Sequence, residues 1–138
     1  MIQPGLDVQQ AMKSTLASRP ALKTLLGGAY VFDELPRGAT APYVLFTIIE
    51  TRDWSVADQK AHENFVTLEI SSKSKSRTQV QNIVQEIELA LDGAALTLVD
   101  NNLINLRCVF ISAARQKFVD YFSATMRFRA ATEPKIME

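Results

Sequence analysis

Residues 43–52, YVLFTIIETR, constrain the fold more than any other stretch of the chain. Tyr43, Leu45, Thr47 and Ile49 share one parity, and Val44, Phe46 and Ile48 share the other. β-branched and aromatic residues dominate. The run is too short and too branched to prefer a helix, so it reads as a strand. Both parities are apolar at its start, which requires cover on both faces there. Glu50, Thr51, Arg52 and Asp53 then turn polar, and the strand runs out into solvent.

The flanking segments fix its neighbours. Residues 1–6 form a lead-in. Asp7 reads as a helix N-cap, with Gln10 completing a capping-box pair. Val8, Ala11, Met12, Thr15 and Leu16 follow at helical spacing. Pro20 breaks or restarts that helix, and Gly27 and Gly28 stop the short turn carrying Leu22, Leu25 and Leu26. Tyr30, Val31 and Phe32 make a short strand before a turn punctuated by Pro36, Gly38 and Pro42.

After the long strand, residues 54–61 read as a polar loop. Residues 63–72 alternate, with Val66, Leu68 and Ile70 on the dry parity and Thr67, Glu69 and Ser71 on the wet one. The segment SKSKSR (residues 72–77) leads into the best helix of the chain, where Ser76 and Gln79 form a capping box. Val80, Ile83, Val84, Ile87, Ala90 and Leu91 line one face, and Gly93 stands at the C′ position. An apolar run of Leu96, Leu98 and Val99 precedes a turn signal at Asp100, Asn101 and Asn102.

Residues 103–111 read as a strand that is apolar on both parities. Residues 118–129 alternate cleanly. Phe118, Phe122, Ala124, Met126 and Phe128 share one face, and Val119, Tyr121, Ser123, Thr125, Arg127 and Arg129 share the other. The short link at residues 112–117 makes these two strands an antiparallel hairpin. The tail, residues 132–138, is polar and reads as loose.

The expected fold is therefore α+β, in the order α-β-β-β-α-β-β. It has a mainly antiparallel sheet of about four strands and two main helices. Such a sheet is about 19 Å wide at ~4.8 Å per strand, and a helix is about 10 Å across. Two helices cover one face and little more. The second face must be hidden by a crossing N-terminal helix or by another subunit. The subunit is the favoured explanation, because large apolar patches mark interaction sites.

The chain has 138 residues, 47% hydrophobic and 22% charged, which suits one domain spanning 1–138 with a single core. Its formal net charge is zero. That balance argues against a dedicated nucleic-acid binder and does not resist association. Cys108 is the only cysteine, so no internal disulfide forms, as in a reducing compartment. The opening MIQPGLDVQQ lacks the features of a signal peptide, and no apolar run reaches the ~18 residues of a membrane span. Synthesis in the cytosol is expected.

Few residues suggest chemistry. His62 is the only histidine and reads as a surface residue beginning a strand. Cys108 reads as an inert strand thiol, having no histidine beside it in sequence to stabilise a thiolate. Metal-ligand spacings and phosphate-binding glycine motifs are absent. Asp33, Glu34, Asp53 and Asp58 read as solvated loop charges rather than an acid–base pair. Lys73, Lys75 and Arg77 read as a solvated helix lead-in, with DNA or partner contact as the sharper alternative. Trp54 stands among polar neighbours, as a core-edge cap or as an interface anchor. Tyr121, Thr125, Arg127 and Arg129 form either a wet sheet face or a subunit or partner interface.

The layout resembles one family. The YVF strand (residues 30–32), the turn closing on Pro42, Tyr43 and Val44, the amphipathic helix ending ALDG (residues 90–93) and the final hairpin are similar to the tail-completion, or tail-terminator, proteins of long-tailed phages and gene transfer agents. Their order and spacing carry the likeness over residues 16–128. Where many members place a glycine before the second long helix, this chain has SKSKSR. The resemblance implies a structural virion protein, not an enzyme, with no catalytic, cofactor or metal site. It implies a homo-hexameric ring at the head-proximal end of the tail tube, meeting the tube protein and the head-completion or connector protein. Double-stranded DNA would pass through the lumen, with no membrane partner. On this reading the protein is made in the bacterial cytoplasm and ends in the particle tail. The alternative is a small soluble α+β binding or adaptor module touching nucleic acid through Lys73, Lys75 and Arg77. A hydrolase with a carboxylate site is a third and remoter reading.

Overall fold

A computed structural model describes residues 1–115 and 121–135. In chain order it contains α1 (Pro4–Ala17), α2 (Pro20–Leu26), β1 (Val31–Phe32), β2 (Tyr43–Asp53), β3 (His62–Ser71), α3 (Arg77–Leu91), β4 (Asn101–Arg115) and β5 (Phe122–Pro134). The strands form one sheet in the order β1-β2-β3-β5-β4. All pairings are antiparallel except that of β1 with β2. The α+β class and the mostly antiparallel sheet match the sequence reading. The described residues add a fifth strand to the expected sheet, and α2 stands as a helix of its own.

Proline at the first helical position explains both early helices. Pro4 opens α1 and Pro20 opens α2, where a missing N–H costs nothing. Asp7 is thus not an N-cap. It lies inside α1, buried, and Gln3 takes the cap position. Its carboxylate instead accepts hydrogen bonds from the backbone N–H groups of Val99, Asp100 and Asn101 at 2.9–3.1 Å, and from Asn101 Nδ2 at 2.9 Å. The expected turn at residues 100–102 is correspondingly shorter: Asn101 and Asn102 already belong to β4. Gly5 allows α1 its close approach to β2, since a Cβ there would sit 2.6 Å from Ile49 Cγ2.

Gly27 ends α2 at φ 82°, with N–H groups of Gly27 and Gly28 both donating to Lys23 O. Ser76 caps α3 by accepting from Thr78 N at 3.2 Å. The capping box is not closed, however. Gln79 Oε1 accepts from Lys73 N at 2.7 Å, which ties the helix to its lead-in rather than to its cap.

One core fills the space between helices and sheet. Val8, Met12 and Leu16 of α1 and Ile83, Ile87 and Leu91 of α3 meet Val66, Leu68, Ile70, Met126 and Phe128 there. Those strand residues lie on a single parity, so α1 and α3 share one face of the sheet. The N-terminal helix does not cross to the other face. Inside this core Asn64 forms a polar node. Its Nδ2 donates to Ala130 O and Thr132 Oγ1, and its Oδ1 accepts from Thr51 Oγ1, all near 3 Å.

Bulges rearrange the two strands that read as apolar on both faces. In β2 the register slips between Phe46 and Ile48. Val44, Phe46, Ile49 and Thr51 therefore share the helix side, while Leu45, Ile48, Glu50 and Arg52 share the open side. β4 slips twice, at Leu103/Asn105 and Cys108/Phe110. In this single copy Ile48, Ile49, Val109, Phe110 and Ile111 stay exposed rather than covered. The C-terminal segment is also not loose throughout. β5 runs to Pro134 and Thr132 is buried, while residues 136–138 lie outside the described residues. Phe118, Val119 and Lys117 of the expected hairpin lie outside them as well.

Candidate interaction site

The open side of the sheet is built from alternate residues of β2, β3, β5 and β4. Its centre is aromatic and cationic. The Arg127 guanidinium lies 4.6 Å from the centroid of the Phe65 ring, and that of Arg52 lies 5.4 Å from it. Arg129 lies 5.0 Å from the Trp54 ring. Stacking of this kind holds long side chains flat and limits the entropy they lose on binding.

Carboxylates on β3 and β2 complete the pattern. Glu63 Oε2 accepts from Arg129 Nε at 2.6 Å, and Glu50 Oε1 accepts from Arg127 at 3.4 Å. Beside these pairs lies a shallow depression of about 500 Å³, floored by Ile48, Phe65, Val109 and Phe110 and edged by Thr125 and Arg127. An apolar floor inside a rim of paired charges is the usual anatomy of a protein interface.

Four residues named from sequence thus come together: Trp54, Thr125, Arg127 and Arg129 share this side. Tyr121 does not join them. It is exposed just before β5, at the opposite end of the sheet. That end also holds Lys73, Lys75 and Arg77. Ser72 fastens it, donating from both N–H and Oγ to Phe122 O. Arg77 and Arg115 both approach the Phe122 ring, at 5.2 and 5.4 Å.

The sequence reading missed Phe65, Ile48 and Phe110. Phe65 was visible as an aromatic on the wet parity of β3. The other two needed the bulges, which residue spacing does not reveal.

The remaining candidates are quiet. Burial above all pushes the Cys108 thiol up; contact with Phe110 O opposes it, and the Glu88 and Asp92 carboxylates add smaller upward pushes. His62 begins β3, half-buried rather than at the surface, with Nδ1 enclosed. Among the described residues no group of three His, Cys, Asp or Glu side chains gathers to hold a metal ion. No described helix is long and apolar enough to cross a membrane.

The model of the family described as tail completion protein gp17 matches residues 10–133. The chain belongs to that family. It is therefore a structural tail protein of a virion. A chain in the solved virion of a native gene transfer agent (GTA) particle superposes with a TM-score of 0.84, covering 92% of this chain and 95% of that one. At 23% identity that likeness establishes the shared fold. No individually curated protein matches the sequence. The open sheet side is thus a surface of a tail-completion fold, and its unburied aromatic and arginine pairs belong to a protein that works inside an assembly.

Proposed function

We propose that this protein is a tail terminator. Six copies form a ring on the head-proximal end of the tail tube, stop its polymerisation and present a surface to the head-completion proteins. Double-stranded DNA passes through the lumen without specific binding. The protein is made in the bacterial cytoplasm, works without a cofactor and catalyses no reaction.

Membership of the tail-completion family across residues 10–133 carries this reading. Physical features support it. A single copy leaves Ile48 and Phe110 each 51% exposed beside Phe65, which is costly for a protein that stays alone. A zero net charge lets copies pack without strong repulsion and lets DNA slide past without tight capture. Trp54, Thr125, Arg127 and Arg129 are the subunit or partner contact on the open side. Tyr121, Lys73, Lys75 and Arg77 form a second, weaker contact for a partner or for passing DNA.

Particles from a deletion strain test the proposal. Electron microscopy should show heads without attached tails and tubes of irregular length, both repaired by the wild-type gene. Normal attached tails of uniform length in the deletion strain would overturn it.

A further inference from the structure

Two lengths of strand edge lack a partner strand among the described residues. They lie at opposite margins and opposite ends of the sheet. On the β2 margin, β1 covers only Val44 and Leu45, leaving residues 47–53 open. On the β4 margin the α3–β4 connection seals the middle: Gly93 N donates to Leu106 O at 2.7 Å, and Asp92 Oδ1 accepts from Cys108 N at 2.9 Å. Residues 109–114 continue past that seal with no described strand beside them. Soluble proteins commonly blunt such edges with lysine or proline. Neither stretch contains either.

The two edges match in direction. Val44 N reaches outward to Tyr30 O, just before β1, and Leu106 O and Cys108 N reach outward to the residues that follow α3. All three residues lie on the helix side of the sheet. Backbone direction and side-chain face alternate together along a strand. Helix-side residues therefore point their N–H and C=O off both edges: Ile49 and Thr51 on β2, Ile111 and Ala113 on β4. β2 and β4 also run in opposite directions. Set side by side, they make an antiparallel ladder with both helix layers on the same side.

We propose that copies of this chain join edge to edge, residues 109–114 of β4 pairing with residues 47–53 of β2 in the next copy. The contact is heterologous, and its closure into a ring rests on the terminator reading. Pairing Ala113 with Ile49 and Ile111 with Thr51 sets Ser112 opposite Glu50 on the open side. Ala113 shares a row with Val44 across the sheet, so this register shifts the neighbour by the span from Ile70 to Val66 on β3. That is about 13 Å at ~3.3 Å per residue, over a repeat of about 19 Å for the main strands at ~4.8 Å each. The slope is about 35°, at which twisted sheets close on themselves.

Cysteine pairing in assembled particles tests the contact. In a Cys108→Ser background, particles carrying both Ser112→Cys and Glu50→Cys subunits should yield a disulfide-linked dimer on oxidation. Neither variant alone should do so, and the double variant should give a ladder of linked subunits. Dimers from Ser112→Cys alone would replace the proposal with β4 paired to β4. A ring visible on the tail with no cross-link would sink the edge pairing and leave the terminator reading standing. Cross-linked subunits without a ring at the tail end would do the reverse. Ala113→Pro removes an outward N–H and spares the bonds to β5. Its circular dichroism should be unchanged while incorporation into particles falls at least about tenfold, as expected for a lost ladder bond repeated around a ring. Normal incorporation of that folded variant would overturn the pairing.

Discussion

Asp7 shows how much one side chain can hold in this fold. Burial opposes its charge, but the Asn101 amide and the backbone N–H groups of Val99, Asp100 and Asn101 outweigh that and hold the carboxyl below its ordinary value of 3.8. These bonds pin the start of β4 to α1 across more than ninety residues of chain. Asp7→Ala leaves those donors buried without an acceptor, and it should cost about 2–4 kcal/mol of stability, measured by urea unfolding. The pH dependence has a definite sign. Because the folded pKa is depressed, the contribution is whole above about 3.8 and is lost as pH falls through the folded value. Acid titration of unfolding should therefore be shallower in Asp7→Asn than in the wild type. Parallel acid curves would mean that the carboxylate is not the group responsible.

At the scale of elements, α3 separates a working cap from an apparent one. Ser76 Oγ accepts from Thr78 N, so Ser76→Ala should lower stability by about 1 kcal/mol in thermal unfolding. Gln79 bonds to the lead-in at Lys73 rather than to the cap, and Gln79→Ala should cost less than about 0.5 kcal/mol, as substitutions away from core and caps do. Equal losses would mean that a closed capping box forms in solution. This contrast also marks where sequence reasoning ran out. α3, β3 and the dry parity of β5 were legible because 3.6- and 2-residue periods record which side is buried. The parities of β2 and β4 were not legible beyond their bulges, since an extra residue reverses every later side chain and leaves no compositional mark. Asp7 was misread for a related reason. A carboxylate near a helix start looks the same in sequence whether it serves its own helix or a loop far along the chain. Trp54 was legible as an aromatic among polar neighbours, and Arg127 and Arg129 as arginines on the polar parity of β5 that also carries Thr125. Ile48 and Phe110, which floor the same depression, were hidden by the bulges.

For the molecule as a whole, the balance between folding and assembly decides what the open side is for. Trp54 is 44% exposed in a single copy, and its ring lies against the Arg129 guanidinium. Removing it from an isolated copy should cost about 1 kcal/mol, the size of one exposed cation–π contact with some lost packing. An interface anchor behaves differently, because truncating a buried tryptophan at a contact commonly costs about 2 kcal/mol or more per interface. A closed ring repeats that loss at every joint. Trp54→Ala should therefore lower the thermal midpoint by only about 3–5 °C while sharply reducing the fraction of heads with attached tails in complemented deletion strains. Arg129→Ala should act in the same direction, and it also strips Glu63 of its partner. If Trp54→Ala particles carried tails at the wild-type frequency, the tryptophan would be a cap over the edge of its own sheet, and the contact would lie elsewhere on that side. If instead the variant lost several kcal/mol of stability, the ring would be fastened to the core more firmly than its exposure allows, and missing tails would report misfolding rather than a lost joint.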